Sequence, residues 1–335
     1  MPSIFLFLIL SSCYFDKEEK ENMIKPRIIF MGTPEFALPA LSLLLEEKYP
    51  LVGVVTQPDR PQGRGRACLP SPVKAMALAH HLPIMQPERM RDDGLLATFR
   101  SLAPDLVVLA AYGQLLPKEI TDRPPLGCLN IHPSLLPKYR GAAPINRAII
   151  NGEKVSGVTI MQMTEELDAG DIILQEETPI GEDETFDQLH DRLAHRGAEL
   201  LIRAIVMAAN DTVQRVSQNG AAATYAPRLN KEDGLLRWGQ DVSSLVNLVR
   251  GLSSSPGAFT LLAGKKLKIL RASAEIKDTG VAPGTIVSQK GRGLKVAAEN
   301  GWVHLLDVQM ENKKRMPIED FLRGYEVQAG TLMGL

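Results

Sequence analysis

Asn130 and His132 stand two residues apart at the end of an apolar run, in Cys128-Leu-Asn-Ile-His-Pro-Ser134. Residues two apart in an extended chain face the same way. An amide donor and an imidazole therefore project together, with Ser134 next along that face. Such a pair suits an oxyanion developing during acyl transfer. Pro133 and Pro137 keep the residues before them extended and stiffen the display. A histidine capping the strand end on a loop carbonyl is the other reading. Asp168, in the polar stretch Glu165-Glu-Leu-Asp-Ala-Gly170, offers a carboxylate that could orient an imidazole and assist proton transfer. Gly170 permits close backbone approach there. A turn aspartate bonded to its own backbone would look the same. Spacing alone does not bring Asp168 to His132.

A second group of residues suits phosphate. The run Thr56–Ser71 carries Arg60, Arg64 and Arg66 among glycines and prolines. Arginines on such a loop match phosphate contacts. Lys265-Lys-Leu-Lys268, Lys290-Gly-Arg292 and Lys313-Lys-Arg315 add basic clusters, and together they point to RNA. Gly32-Thr-Pro-Glu35 follows a strand-like run, where a helix start can hold an anion. It is not G-x-G-x-x-G, so a dinucleotide site is only weakly supported. His80, His81, His190, His195 and His304 read as structural or surface residues. No pair of histidines has metal-ligand spacing, and no catalytic metal is expected.

The elements that must position these groups alternate. Ile28–Met31, Leu51–Thr56, Leu106–Ala110 and Leu129–Ile131 read as buried strands, and Gly157–Met163 and Asp171–Thr178 as two more. Pro39–Lys48, Val73–His81, Asp92–Ser101, Pro144–Ile150 and Thr185–Ala209 read as helices. This pattern predicts an α/β fold, a mostly parallel, doubly wound, Rossmann-like sheet with helices on both faces. Ser71-Pro72 is a helix start with an N-cap serine and proline at the first turn. Ligands bind such sheets at the C-terminal ends of the strands, where Asn130 and His132 fall. Beyond a small, polar stretch, Phe259–Leu262, Lys266–Ala272, Gly284–Ser288, Leu294–Ala298 and Trp302–Val308 predict a small OB-like β-barrel, closed or partly open.

The chain of 335 residues is long enough for two domains. The expected divisions are an extension at 1–22, a catalytic domain at 23–209, a linker at 210–228 and a C-terminal barrel at 229–335. The net charge of −1 hides a split: residues 23–209 carry −4 and residues 210–335 carry +5. Three cysteines are too few and too scattered for a disulfide scaffold. The opening apolar run up to Cys13 looks like an export segment, but no Lys or Arg precedes it. Met23 is read as the start, and a cytoplasmic protein is expected.

Several stretches together resemble the methionyl-tRNA formyltransferase family of folate-dependent formyltransferases. They are Arg27-Ile-Ile-Phe-Met-Gly-Thr-Pro-Glu-Phe36, Gln57-Pro-Asp-Arg-Pro61, Asn130-x-His132, Ser134-Leu-Leu-Pro137, Arg140-Gly-Ala-Ala-Pro144, Gly157–Met163 and Asp320-Phe-Leu-Arg-Gly324. The resemblance runs from about Lys25 to the end. It implies formyl transfer from 10-formyltetrahydrofolate to the methionyl amino group of initiator tRNA. It implies a catalytic trio at Asn130, His132 and Asp168, and a folate-binding signature at Ser134, Leu135, Leu136 and Pro137. It further implies an inserted loop, Gln57–Leu69, that meets the tRNA acceptor end with Arg64 as the main contact; Arg60 and Arg66 are taken as contacts beside it, and a monomer with no membrane partner is expected. Two stretches depart from the family: Arg66-Ala67 where two lysines are usual, and Ser253-Ser-Ser-Pro256 where Asn-Pro-aromatic-Pro is usual. The trio alone would equally serve a formyltransferase acting on an amino sugar or purine precursor, or a formyl-folate hydrolase. A non-catalytic RNA-binding module is the reading outside enzymes.

Overall fold

The structure, a computed structural model, describes residues 24–62, 67–289 and 293–334. The extension at 1–22, Arg64, Arg66, Lys290 and Arg292 lie outside the described residues. Seven strands form the first sheet: β1 (Ile28–Gly32), β2 (Leu51–Val55), β3 (Ile84–Met85), β4 (Leu106–Ala110), β5 (Cys128–His132), β6 (Val155–Gln162) and β7 (Ile172–Pro179). Their order is β7-β6-β5-β4-β1-β2-β3. The five strands β1 to β5 pair in parallel, whereas β6 runs antiparallel to β5 and β7 antiparallel to β6. The expected mostly parallel sheet is therefore present with an antiparallel edge. From β1 the chain builds outward to β3, then returns to the other side at β4. The strand order reverses between β1 and β4, the kind of crevice in which open α/β sheets bind ligands.

Strand alternation divides the core between the two faces of this sheet. Ile28, Phe30, Leu106, Val108, Leu129 and Ile131 pack into one cluster. Their neighbours Ile29, Met31, Val107, Leu109 and Cys128 pack into another. Each such fully buried aliphatic contributes about 1.5–3 kcal/mol of transfer free energy. Helices α1 (Leu38–Glu46), α2 (Pro72–Ala79), α4 (Pro144–Ile150) and α5 (Phe186–Ala209) cover the first face, and α3 (Asp93–Leu102) covers the second. Ser71 caps α2 by accepting from Lys74 N at 3.0 Å, with Pro72 at the first turn as expected.

Residues beyond 228 build a second core around an antiparallel sheet. Its strands are β8 (Ala258–Leu262), β9 (Lys265–Ile276), β10 (Ile286–Gln289), β11 (Gly293–Ala297), β12 (Gly301–Met310) and the short β13 (Met316–Pro317). The order is β8-β9-β12-β11-β10, with β13 beside β12. Among the described residues the edges β8 and β10 do not pair with each other, and the C-terminal segment spans the gap of this half-barrel, with Thr331 O accepting from Ile286 N at 2.9 Å and Gly334 N donating to Leu261 O at 2.9 Å. Helix α6 (Val242–Gly251) supplies Leu245 and Val249 to its core. Asn146 Nδ2 donates to Gly251 O at 2.8 Å, and Arg147 pairs with Asp233 at 3.1 Å, tying the two cores together.

The stretch expected as a linker lies against the first sheet. Val216 and Ile172 exchange both backbone hydrogen bonds, at 2.8 and 3.0 Å. Tyr225–Ala226 pairs in parallel with Arg140–Gly141.

Candidate active site

β5 carries Asn130 and His132 between two neighbours. Asn130 lies opposite Leu109 of β4 and Met161 of β6, and His132 lies opposite Thr159. Asn130 is half-buried, and among the described residues its side chain has no hydrogen-bond partner. Its amide is thus available as a donor at the sheet's C-terminal edge. His132 is only 4% exposed. Its Nε2 lies 2.9 Å from the Tyr139 carbonyl oxygen. A carbonyl only accepts, so Nε2 carries the hydrogen and the neutral ring keeps its lone pair on Nδ1. That nitrogen lies 3.7 Å from Asp168 Oδ1.

The strand-end cap and the Asp168 encounter therefore coexist on opposite nitrogens of one ring. The expectation that Asp168 holds His132 needs refining, because 3.7 Å exceeds a hydrogen bond. Tyr139 orients the ring, and the carboxylate supplies charge beside Nδ1. Asp168 is itself held by Gly141, whose N–H donates to Oδ2 at 2.8 Å.

Two side-chain-bearing residues around His132 adopt left-handed backbone: Tyr139 at φ +60° and Asp168 at φ +49°. Such conformations cost of order 1–3 kcal/mol and persist only where the surroundings enforce them. The surroundings are identifiable at both. Tyr139 N donates to Thr224 Oγ1 at 2.8 Å, and its hydroxyl donates to Glu153 at 2.7 Å. Burial pushes the Tyr139 phenol up to about 12, so it stays neutral and serves as an anchor. Beside Asp168, a Cβ on Gly170 would fall 1.8 Å from Gln162 O, so only glycine lets the loop close onto β6. Gly141 has φ +112°, and a Cβ there would meet Ala226 O at 2.9 Å.

The stretch Ser134–Pro137 forms the turn between His132 and Tyr139. Ser134 Oγ donates to Lys138 O at 2.7 Å, and Thr159 Oγ1 donates to Ser134 O at 2.6 Å. Gln175 Nε2 donates to Leu136 O at 3.0 Å. Ser134 and Leu136 are buried. Their direct effect here is to shape the turn that sets Tyr139 against His132. Arg60 opens a short hairpin, Arg60–Gln62 with Ala67–Leu69. It lines a cavity of about 480 Å³ together with Thr33, Gln57, Ser71, Glu88 and Gln114, beyond the ends of β1, β2 and β4. That volume is in the range of small-molecule sites, roughly 300–1,000 Å³.

Sequence reasoning missed Tyr139, Thr159 and Gln218 as parts of this site. Tyr139 acts through its backbone, and no side-chain motif advertises a carbonyl. Gln218 donates from Nε2 to Asp168 O at 2.9 Å and to Gly170 O at 2.7 Å, across some fifty positions of sequence. Of the other histidines, His304 bonds Glu275 at 2.8 Å on β12 and β9, far along the chain from β5.

Residues 26–205 match the formyl transferase family, and residues 228–326 match the formyl transferase C-terminal domain. Fold and site thus define a formyl transferase. A crystal structure of WlaRD, a sugar 3N-formyl transferase solved in the presence of dTDP and 5-N-formyl-THF, has the same fold. Its TM-score is 0.63 at 19% identity, covering 87% of this chain and 99% of that one. Sequence similarity is higher to proteins named methionyl-tRNA formyltransferase. That of Syntrophus aciditrophicus is 52% identical over 312 residues, covering 93% of this chain and all of the relative. That of Geotalea daltonii is 47% identical over 308 residues, covering 92% of this chain and 98% of the relative. The chain belongs to the methionyl-tRNA formyltransferase family.

Proposed function

We propose that the protein transfers the formyl group of 10-formyltetrahydrofolate to the α-amino group of methionyl initiator tRNA. The observation that carries this is the 52% identity to a methionyl-tRNA formyltransferase, sustained through both domains. The donor set at the end of β5 suits a formyl carbon: an available amide, an imidazole with its lone pair on Nδ1, and a carboxylate beside it.

The neutral amine of the aminoacyl ester attacks the formyl carbon. A new C–N bond forms, the formyl–folate C–N bond breaks, the attacking nitrogen loses a proton and the folate nitrogen gains one. Negative charge builds on the formyl oxygen, and Asn130 donates a hydrogen bond to it. His132 takes the amine proton on Nδ1, with the Asp168 carboxylate stabilising the imidazolium. The turn Ser134–Pro137 fixes the loop over which folate binds. Arg60, Arg64 and Arg66 meet the acceptor end of the tRNA, and the cavity beside Arg60 receives it. The basic second domain adds phosphate contacts.

Among the described residues no helix is long and apolar enough to cross a membrane. The reading sets the enzyme in the cytoplasm with the translation machinery. The reading takes it to work as a monomer. Comparing formyl transfer to charged initiator tRNA, an amino sugar and water tests the acceptor. The tRNA should be used well above the other two, and preference for either of them would overturn the reading.

A further inference from the structure

Gln218 lies in a stretch that composition marks as a linker, yet all the hydrogen-bonding capacity of its side chain is directed at the site. Its Oε1 accepts from Arg140 Nε at 3.1 Å and from Arg140 Nη2 at 2.8 Å. Its Nε2 donates to the backbone carbonyls of Asp168 and Gly170. The amide cannot sit the other way round. A guanidinium only donates and a carbonyl only accepts, so Arg140 fixes the oxygen and the two carbonyls fix the nitrogen. Arg140 is itself 7% exposed and neighbours Gly141, the residue that donates to the Asp168 carboxylate. The Asp168 loop is therefore gripped at its carboxylate by Gly141 and at its backbone by Gln218, both from the Arg140 side.

Neighbouring contacts act in the same direction. Ser217 Oγ donates to Asp171 Oδ1 at 2.9 Å, and Val216 pairs with Ile172. Further on, Arg140 N donates to Thr224 O at 2.8 Å. One segment thus straps the Asp168 loop to the loop that orients His132. Left-handed backbone at Asp168 needs such external restraint.

We propose that Gln218 is a positioning residue for formyl transfer, holding the Asp168 loop so that its carboxylate faces His132 Nδ1. This rests on Asp168 acting in the reaction. Displacements of about 1 Å at a reacting group can cost on the order of 10²-fold in rate. Gln218→Ala removes the grip on the loop backbone together with the bonds to Arg140. Gln218→Glu keeps the volume and the acceptor for Arg140 but presents no proton to the two carbonyls.

The test is steady-state formylation of charged initiator tRNA by the full chain and its variants, with thermal unfolding recorded for each. Both Gln218 variants should lose at least about tenfold in kcat, with KM for the formyl donor and the tRNA little changed. Asn219→Ala, whose side chain bonds only Ala221 N among the described residues, should stay within about twofold of the parent rate. A folded Q218E with the parent kcat would overturn the proposal, whatever its melting temperature, as would an equal loss in N219A. If Q218A fails to fold, Q218E decides alone. A parent enzyme that formylates no tRNA would instead overturn the reading of function.

Discussion

The Nδ1 atom of His132 lies 3.7 Å from Oδ1 of Asp168, within reach of its charge and beyond a hydrogen bond. The ring's orientation comes from the other nitrogen, bound to Tyr139 O at 2.9 Å. On the proposed mechanism, orienting the imidazole and stabilising its charge, usually combined in one carboxylate, are divided between a backbone carbonyl and Asp168.

Asp168→Asn separates the two. The amide oxygen still accepts from Gly141 N, so the loop should hold and the melting temperature should change little. The charge beside Nδ1 is lost, and kcat should fall by about 10²–10³. Steady-state kinetics with a thermal melt checks this, and a near-parental rate would remove Asp168 from the chemistry.

His132→Ala removes the proposed base and the bond to Tyr139. Turnover should drop by at least about 10²-fold. The fold should survive, because Tyr139 stays anchored through Thr224 and Glu153. Circular dichroism beside the rate assay would show whether the loss is chemical.

Gly170→Ala attacks position without touching any reacting group. The new Cβ would overlap Gln162 O, so the loop must shift. A stability loss of about 1–3 kcal/mol is expected together with a fall in kcat. Unchanged denaturant midpoint and rate would show that the loop tolerates a gap to β6.

Arg64→Ala should raise KM for charged tRNA several-fold and leave that for the formyl donor unchanged. The tRNA effect should weaken as salt rises, as expected of the proposed phosphate contact. An unchanged kcat/KM for the tRNA would remove Arg64 from the interface.

Asp241 gives a pH-dependent prediction in the second domain. Backbone N–H donors of Ser244 and Ser243 and the amide of Asn300 hold its carboxyl below the usual range. A depressed folded pKa stabilises above the unfolded value, near 4, and that stability is lost as pH falls through the folded value. Asp241→Ala should cost about 1 kcal/mol at neutral pH, from loss of the α6 cap. The gap to the parent should narrow in acid, as urea melts at pH 7 and pH 3 would reveal.

Much of this was legible from residue types. Period-two spacing put Asn130 and His132 on one face of β5, and the Ser71-Pro72 cap announced α2. Alternating runs announced the sheet but carried no strand direction, so the antiparallel turn at β6 was not readable. Nor was the division of labour around His132. It depends on a tyrosine in left-handed backbone, a residue type not associated with that region. Gln218 was hidden because its partners lie 48, 50 and 78 positions away, and the small, polar residues around it resemble any connector.

The most direct test is the initial rate of formyl-methionyl-tRNA formation, with labelled 10-formyltetrahydrofolate and charged initiator tRNA, for the parent chain and Asp168→Asn side by side. Label should pass to the methionyl amino group in the parent and fall by at least about 10²-fold in the variant. No labelled product from the parent, or equal rates from the two, would contradict the account.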